Sequence, residues 1–317
     1  MGEMRGRLLM SLSIPALAIM IATFATSDTR AHAARAQQRW TPPRTEWGDP
    51  DLQGIWNYAT LTPVERPANV GDKAVLTEAE AAAYERQYVQ RQETNTTVTA
   101  GVDWWDPGTG HLVDRRTSLI VDPPNGRMPP LTPQAQAASR RGRGTARTDG
   151  PEDLGLNVRC LQYPTAGPPM LPGMYNVDVQ FVQTRQYIVM FNEMIHDARI
   201  VPMDGRPHGT LRQWMGDSRG HWEGATLVVD SVNLKVPFRG SDENLHLIER
   251  FTRTAADTIE YRFTVDHPTV WTAPWAVSYP MRRTDLAMYE YACHEGNERS
   301  MIGTLKTARD EDSRPQK

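Results

Sequence analysis

The stretch Thr258-Ile259-Glu260-Tyr261-Arg262-Phe263-Thr264-Val265-Asp266 alternates between apolar and polar side chains. Because successive side chains of a β-strand point to opposite faces of its sheet, this pattern predicts a strand with one buried and one solvated face. Further β-branched and aromatic segments, separated by turn residues, predict more strands over 177–184, 187–193, 199–203, 226–232, 245–254, 275–281 and 288–293. We expect a mainly β fold in which an antiparallel meander closes into a barrel or curves strongly to bury one face.

The chain before this meander is predicted to be partly helical. Thr77 and Glu80 form a capping box that begins a helix over 77–92, and Thr132-Pro133 begins a second, short helix with proline at its first position. Between these helices, residues 116–122 read as one strand. The fold class is therefore mainly β with one or two short helices in its N-terminal part.

The first residues of the chain read as an export signal. Arg5 and Arg7 precede an apolar run over 8–25, and Ala31-His32-Ala33 is a small-x-small cleavage site. A membrane anchor is the alternative, because the run is nearly long enough to cross a bilayer. Pro15 inside the run and the cleavage site favour removal. We expect a periplasmic or secreted protein that has no stable membrane insertion after cleavage.

The remaining chain is predicted to be a single domain. Residues 1–33 are the signal peptide, 34–50 an extended segment, and 51–317 one β-rich domain that is loop-rich and partly helical over 51–173, with the meander over 174–295. The composition, with 39% hydrophobic and 8% aromatic residues, is that of a globular protein. A net charge of -3 gives no electrostatic reason to expect nucleic acid as a partner.

Cys160 and Cys293 are the two cysteines of the chain. Export to an oxidising compartment favours a disulfide between them, with two separate buried thiols as the alternative. The enclosed loop is long, so the chain-entropy model gives a bridge on the order of 5 kcal/mol of stability.

Histidines, acids and basic residues gather at the turns and strand ends of the meander. Imidazoles beside carboxylates suit proton transfer near neutral pH. Strand alternation limits which can cooperate: His246 and Arg250 share one face of their strand, and Glu249 lies on the other. The candidate catalytic residues are His196, Arg199, Asp217, His221, His246 and Glu249, and the candidate ligand-binding residues are Trp214, Trp222, Arg250 and His294.

Three interpretations compete for the histidines. They could act as acid–base groups, they could hold a metal although the spacing matches no metal motif, or they could cap turns and pair with nearby carboxylates. The tryptophans also allow two interpretations: they could stack on a ligand, or they could pack in the core. Trp222, next to His221, is the tryptophan that we assign to a pocket.

Several motifs together resemble those of a large, uncharacterised family of exported bacterial proteins. They are Asp51-Leu52-Gln53-Gly54-Ile55-Trp56, Gly167-Pro168-Pro169, Asn192-Glu193-Met194-Ile195-His196-Asp197-Ala198-Arg199, Asp204-Gly205-Arg206-Pro207-His208 and Gly220-His221-Trp222-Glu223-Gly224. The resemblance implies export and names no activity. Separately, the Gly-x-Trp opening is similar to the first strand of lipocalin-like barrels, an analogy of architecture alone.

The leading hypothesis is an exported, cofactor-independent enzyme of lyase, dehydratase or isomerase type that acts on a small, partly apolar or aromatic ligand. In it His196 and His221 are the general acid and base, Arg199 holds an anionic or carbonyl oxygen, and Asp217 orients a histidine. The alternative is a lipocalin-like periplasmic binding protein without catalysis, and the third hypothesis is a metal-dependent enzyme. No cofactor is predicted, and the expected partner is a small molecule.

Overall fold

Ten strands form one antiparallel sheet in the computed structural model, which describes residues 40–94, 111–141, 150–235, 238, 239, 241 and 244–312. The predicted signal peptide, residues 1–33, and residues 34–39 lie outside this part of the chain. The residues from Pro42 onward form one compact unit. No helix among the described residues is long and apolar enough to span a bilayer.

The strands and helices begin and end as follows. The strands are β1 Gly54–Asn57, β2 Ile120–Asp122, β3 Asp178–Gln183, β4 Tyr187–Asn192, β5 Ala198–Pro202, β6 Asp217–Glu223, β7 Thr226–Val232, β8 His246–Ala255, β9 Thr258–Asp266 and β10 Trp275–Thr284. The helices are α1 Glu78–Thr94, α2 Pro133–Arg141 and α3 Asn297–Asp312.

Two meanders share this sheet. The strand order is β5-β4-β3-β1-β10-β9-β8-β7-β6, with β2 pairing beside β10 as well. Strands β3 to β5 are one run of hairpins, strands β6 to β10 are the other, and the short strand β1 joins them. The mainly β, antiparallel prediction is confirmed.

The sheet curves so strongly that distant strands meet inside it. Arg199 in β5 and Glu249 in β8 form a buried ion pair, although six strand steps separate them along the sheet. In a flat sheet that separation would be about 29 Å. The curvature therefore folds the two meanders over a common core.

The edge strands β5 and β6 approach each other without joining. Gly220 of β6 packs against Val201 and Met203 so closely that a Cβ atom at this position would lie 2.9 Å from Val201 Cγ1. No ladder pairs β5 with β6 among the described strands. Of the two predicted forms, the structure is the open, strongly curved sheet.

The core is filled by aromatic side chains from the inward face of the sheet. Tyr261, Phe263 and Trp275 are completely buried, and Tyr261 stacks on Phe251 with ring centroids 4.7 Å apart. Each such side chain contributes roughly 1.5–3 kcal/mol by leaving water. The alternation read from residues 258–266 is confirmed, because its apolar members are the buried ones.

The predicted helix starts are also confirmed. The Thr77 N–H donates to Glu80 Oε2 at 2.8 Å, and the Glu80 N–H donates to Thr77 Oγ1 at 3.3 Å. The Ala135 N–H donates to Thr132 Oγ1 at 3.2 Å, so Thr132 caps α2. The C-terminal helix α3 was not predicted.

Three predictions about strands need correction. Residues 288–293 are irregular and pair with none of the described strands. Residues 116–122 form a strand only from Ile120, and the Thr117 and Leu119 N–H groups donate to the carbonyls of Ala74 and Pro63 in neighbouring loops. Residues 217–223, for which the sequence predicts no strand, form strand β6. Around residues 40–50 the chain turns back on itself, with a β-bridge between Arg44 and Pro50.

The disulfide prediction is confirmed. The sulfur atoms of Cys160 and Cys293 are 2.00 Å apart, and the bridge ties the loop before β3 to the segment that leads into α3. Asn297 Nδ2 strengthens the same junction by donating to the Val158 carbonyl at 2.5 Å.

Candidate ligand-binding cleft

The gap between strands β5 and β6 holds a cleft of about 520 Å³. One wall comes from β5, the other from the start of β6 and the loop that leads into it. The turn into β6 depends on Gly216, which has φ +72° and whose Cβ would lie 2.7 Å from the Val232 carbonyl oxygen. The lining residues are Ala198, Arg199, Ile200, Arg212, Gln213, Trp214, Met215, Gly216, Asp217, Ser218 and Lys235.

The inner end of the cleft is closed by the buried ion pair. Both terminal nitrogens of Arg199 donate to Glu249, with Nη2 3.1 Å from Oε1, and the Tyr261 hydroxyl donates to the same Oε1 at 2.6 Å. Burial lowers the pKa of Arg199, but the charge and hydrogen bonds of Glu249 more than reverse this and raise it. Burial and the Glu249 charge raise the pKa of Tyr261. Arg199 therefore stays charged, and Glu249 balances it.

The rim of the cleft is cationic and aromatic. Lys235 Nζ lies 4.3 Å from the centroid of the Trp214 ring, an arrangement in which the ring face attracts the ammonium group. Arg212 lines the same rim. Among the described residues that line the cleft, Asp217 is the one carboxylate, and Arg219 forms an ion pair with it. The rim therefore favours an anion that also presents apolar surface.

Asp217 contacts a histidine that the sequence prediction missed. Its Oδ2 accepts the Gly209 N–H at 2.6 Å, and His208 Nδ1 lies 3.5 Å from the same oxygen. Asp217 was expected to orient a histidine, and His208 is the imidazole beside it. The clustered polar residues of 204–208 were the available signal.

His246 lies on the outer face of the sheet. His246 Nε2 is 3.0 Å from Asp230 Oδ1, and His208 Nε2 is 3.3 Å from that atom. Two imidazoles therefore share one carboxylate on the solvent side of β7 and β8. The expected alternation holds, because Glu249 points into the core from the same strand.

His221 lies on the outer face in a separate group. Its Nε2 is 3.3 Å from Glu223 Oε1, and Arg250 Nη1 donates to Glu223 Oε2 at 2.6 Å. A hydrogen bond from Arg250, and to a smaller extent one from His221, lowers the pKa of Glu223. Because His221 is 58% exposed at the side chain, this group is an open surface network, not part of a cavity.

His196 occupies the tight turn between β4 and β5 and is exposed, with φ +46°. Beside it, burial raises the pKa of the Asp197 carboxyl to about 6, although His196 acts to lower it. His294 is exposed in the turn after Cys293. The structure thus places His196, His221 and His246 in three different surroundings, and no hydrogen bond or ion pair joins any two of them in the described part of the chain.

The tryptophans divide between the cleft and the core. Trp214 lines the cleft, whereas Trp222 points inward from β6 and packs against the core, partly buried. Trp271 and Trp275 are buried core residues with an edge-to-face contact at 5.6 Å. Of the predicted site residues, the structure brings Arg199, Trp214 and Asp217 together at the cleft, with Glu249 beneath it.

Within the described part of the chain, no group of three or more histidine, cysteine, aspartate or glutamate side chains is arranged to hold a metal ion. Searches for similar proteins match no family model, no curated protein and no solved structure.

Proposed function

We propose that this chain is an exported protein that binds a small, anionic and partly apolar molecule in the cleft between β5 and β6. The observation that carries the proposal is the composition of the cleft wall. It combines three cationic side chains, Arg199, Arg212 and Lys235, with the ring of Trp214. Such a mixture of a few charged groups with aromatic surface is typical of small-molecule sites.

The rim supplies the charge for this binding. Arg199 is neutralised by Glu249, so the positive charge at the mouth is supplied by the exposed Lys235, with Arg212 also in the lining of the cleft. A carboxylate or sulfonate at the rim would therefore meet the ammonium group of Lys235. Its apolar part would contact Trp214, which is held in place by the ammonium group over its ring.

Export is supported by the disulfide and by the signal-like start of the sequence. A bridge between Cys160 and Cys293 is stable in an oxidising compartment and rare in a reducing cytosol. The signal segment itself predicts removal at residues 31–33.

The test is a fluorescence titration with 8-anilinonaphthalene-1-sulfonate, an anion with an aromatic body. We expect Lys235→Ala and Trp214→Ala to weaken its binding about tenfold each, the effect of removing roughly 1.4 kcal/mol. Lys306→Ala, in the exposed helix α3, is the matched control for the loss of one positive charge. Equal affinities of Lys235→Ala and Lys306→Ala would overturn the proposal.

A second candidate function is acid–base catalysis on the bound molecule, the leading hypothesis from the sequence. It is favoured by the contact of Asp217, which lines the cleft, with His208. In this version His208 replaces His196 and His221 as the imidazole that handles protons. A carboxylate that orients an imidazole is a common acid–base arrangement.

This candidate predicts exchange of carbon-bound protons. 2-Oxo and unsaturated carboxylates, incubated with the protein in deuterated water, would gain deuterium beside the carbonyl group, as measured by proton NMR. His208→Gln would abolish the exchange, and His221→Gln would leave it unchanged. If none of these compounds exchanges faster than in buffer, the protein binds its ligand without this chemistry.

A further inference from the structure

The outer face of the first meander is apolar where a solvated sheet face is normally polar. Val182 of β3, Val189 of β4 and Ile200 of β5 lie directly opposite one another and form a row across three strands. Val182 is 41% exposed and Ile200 is 60% exposed. Phe191 and Ala198 form the neighbouring pair on the same face.

The outer face of the second meander is different. There β8 presents His246, Ile248, Arg250 and Thr252 on its outer face, and the apolar Ile248 lies between the polar Asp230 and Thr264 of the neighbouring strands. Such a largely polar face is expected for an antiparallel sheet with one face in water. Contiguous exposed apolar surface is a feature of many binding sites. We call the row Val182–Val189–Ile200 the apolar row.

The apolar row runs into the cleft. Ile200 belongs to the row and also lines the cleft, next to Ala198. The cations of the rim, Lys235 and Arg212, are in the lining of the same cleft. Positive charge at one end of a continuous apolar strip is complementary to a molecule with an anionic head and an alkyl chain.

We propose that the ligand is a single-chain anionic amphiphile, such as a medium- or long-chain carboxylate. Its head lies at Lys235 and Arg212, and its chain extends across Ile200, Val189 and Val182. This inference rests on the proposed function, because it names the ligand class of the same cleft.

The size of the row favours one alkyl chain over a larger partner. Three strands span about 10 Å, and strands of five or six residues are about 17–20 Å long, so the face offers on the order of 200 Å². A stable dimer needs about 800 Å² from each partner. A second copy of the chain would therefore find too little surface here.

The experiment is a chain-length series of saturated carboxylates, from butanoate through octanoate to dodecanoate, each below its micelle-forming concentration. Complete burial of a methylene increases affinity about fourfold. On a face that is open on one side we expect about half of that free energy, which corresponds to a twofold increase in affinity for each methylene. Affinity measured by calorimetry should thus rise about 250-fold from butanoate to dodecanoate, which has eight more methylenes.

Variants of the row make the test specific. Val182→Ser and Val189→Ser should flatten the dependence on chain length and leave butanoate binding nearly unchanged, because neither residue lines the cleft. Ile248→Ser, an outward-facing change on β8, is the matched control and should keep the full dependence. Using two row variants protects the test if one of them fails to fold. Dodecyl maltoside, with the same chain and no charge, should bind far more weakly than dodecanoate.

The possible results distinguish a failure of the amphiphile proposal from a failure of the proposed anion binding in the cleft. Butanoate that binds as tightly as dodecanoate, or a chain-length effect that survives both row variants, would overturn the amphiphile and leave the anion cleft standing. Binding to anionic phospholipid vesicles with no binding of dodecanoate would also overturn it, in favour of a membrane surface. No binding of any carboxylate or of the anilinonaphthalene sulfonate would overturn both proposals.

Discussion

The ion pair between Arg199 and Glu249 connects the two meanders inside the core, and its removal is the sharpest test of the fold. The two side chains are 6% and 0% exposed, so neither charge reaches water. Glu249→Gln leaves the guanidinium group buried without a counter-charge, and Arg199→Met leaves the carboxylate in the same state. Each single change should cost about 3–5 kcal/mol of stability.

The double variant should recover most of this loss. Arg199→Met with Glu249→Gln removes both charges and keeps an acceptor for the Tyr261 hydroxyl, which donates to Oε1 at 2.6 Å. We expect it to be no more than about 2 kcal/mol less stable than the original protein, because neutral pairs escape the desolvation penalty. The coupling between the two sites is then at least about 4 kcal/mol.

Urea unfolding at pH 7, followed by tryptophan fluorescence with the disulfide intact, measures the four free energies of this cycle. The slope of the free energy against urea must stay constant among the variants for the comparison to hold. If the losses of the two single variants add up to the loss of the double variant within about 0.5 kcal/mol, the two residues do not interact. That result would refute the strongly curved sheet, since curvature is what brings β5 to β8.

Three further changes test other parts of the structure. Reduction of Cys160–Cys293, whose positions are 133 residues apart, should lower the melting temperature and cost up to about 5 kcal/mol; an unchanged melting temperature in calorimetry would contradict a native bridge. Burial raises the pKa of the Asp197 carboxyl to about 6 in the folded protein. Between about pH 4 and 6 this carboxyl is therefore protonated in the folded state and ionised in the unfolded state, so the free energy of unfolding falls as the pH rises through that range. Asp197→Asn should remove this pH dependence and, with solvent screening taken into account, raise the free energy of unfolding by about 1 kcal/mol at pH 7. An unchanged dependence of stability on pH in urea unfolding would contradict the raised pKa of Asp197. Gly220→Ala forces a Cβ against Val201 and Met203 and should cost about 1–3 kcal/mol, whereas Gly303→Ala, with open space around it, should cost nothing; equal melting temperatures would refute the close approach of β5 and β6.

Local pattern was sufficient for much of the fold. The alternation of residues 258–266 placed Tyr261 and Phe263 in the core, and the same reasoning put Glu249 on the opposite face from His246 and Arg250. The capping box at Thr77 and the disulfide also followed from sequence. These features depend on neighbouring residues or on the small number of cysteines, so they are readable without the tertiary structure.

Strand β6 was missed because its inward side is not a row of large apolar residues. Ser218, Gly220 and Trp222 face the interior, and small or polar inward residues hide the period of two. The reason for the small residue lies elsewhere in the chain, in the contact of Gly220 with β5. The false strand at 288–293 shows the converse, because a suitable local pattern is not sufficient where the segment pairs with none of the described strands.

The site was only partly predictable for the same physical reason. Arg199, Trp214 and Asp217 were selected for their chemistry, but their convergence at one cleft depends on how far the sheet curves. That curvature also places Glu249 beneath the cleft and leaves His221 on the outer surface. His208 was passed over because its partner Asp217 belongs to a strand that the sequence did not reveal.

The central claim is that the cleft between β5 and β6 binds an anionic, partly apolar molecule, and NMR of the tryptophan side chains tests it most directly. Octanoate is added to the ¹⁵N-labelled, disulfide-bonded protein while the indole N–H resonances are recorded, with Trp214→Phe used to assign the decisive signal. Binding in the cleft predicts a saturable shift of the Trp214 indole N–H resonance. It predicts no shift of the Trp275 resonance, because Trp275 is buried in the core. A Trp214 resonance that stays fixed while octanoate binds elsewhere, or does not bind, would contradict it.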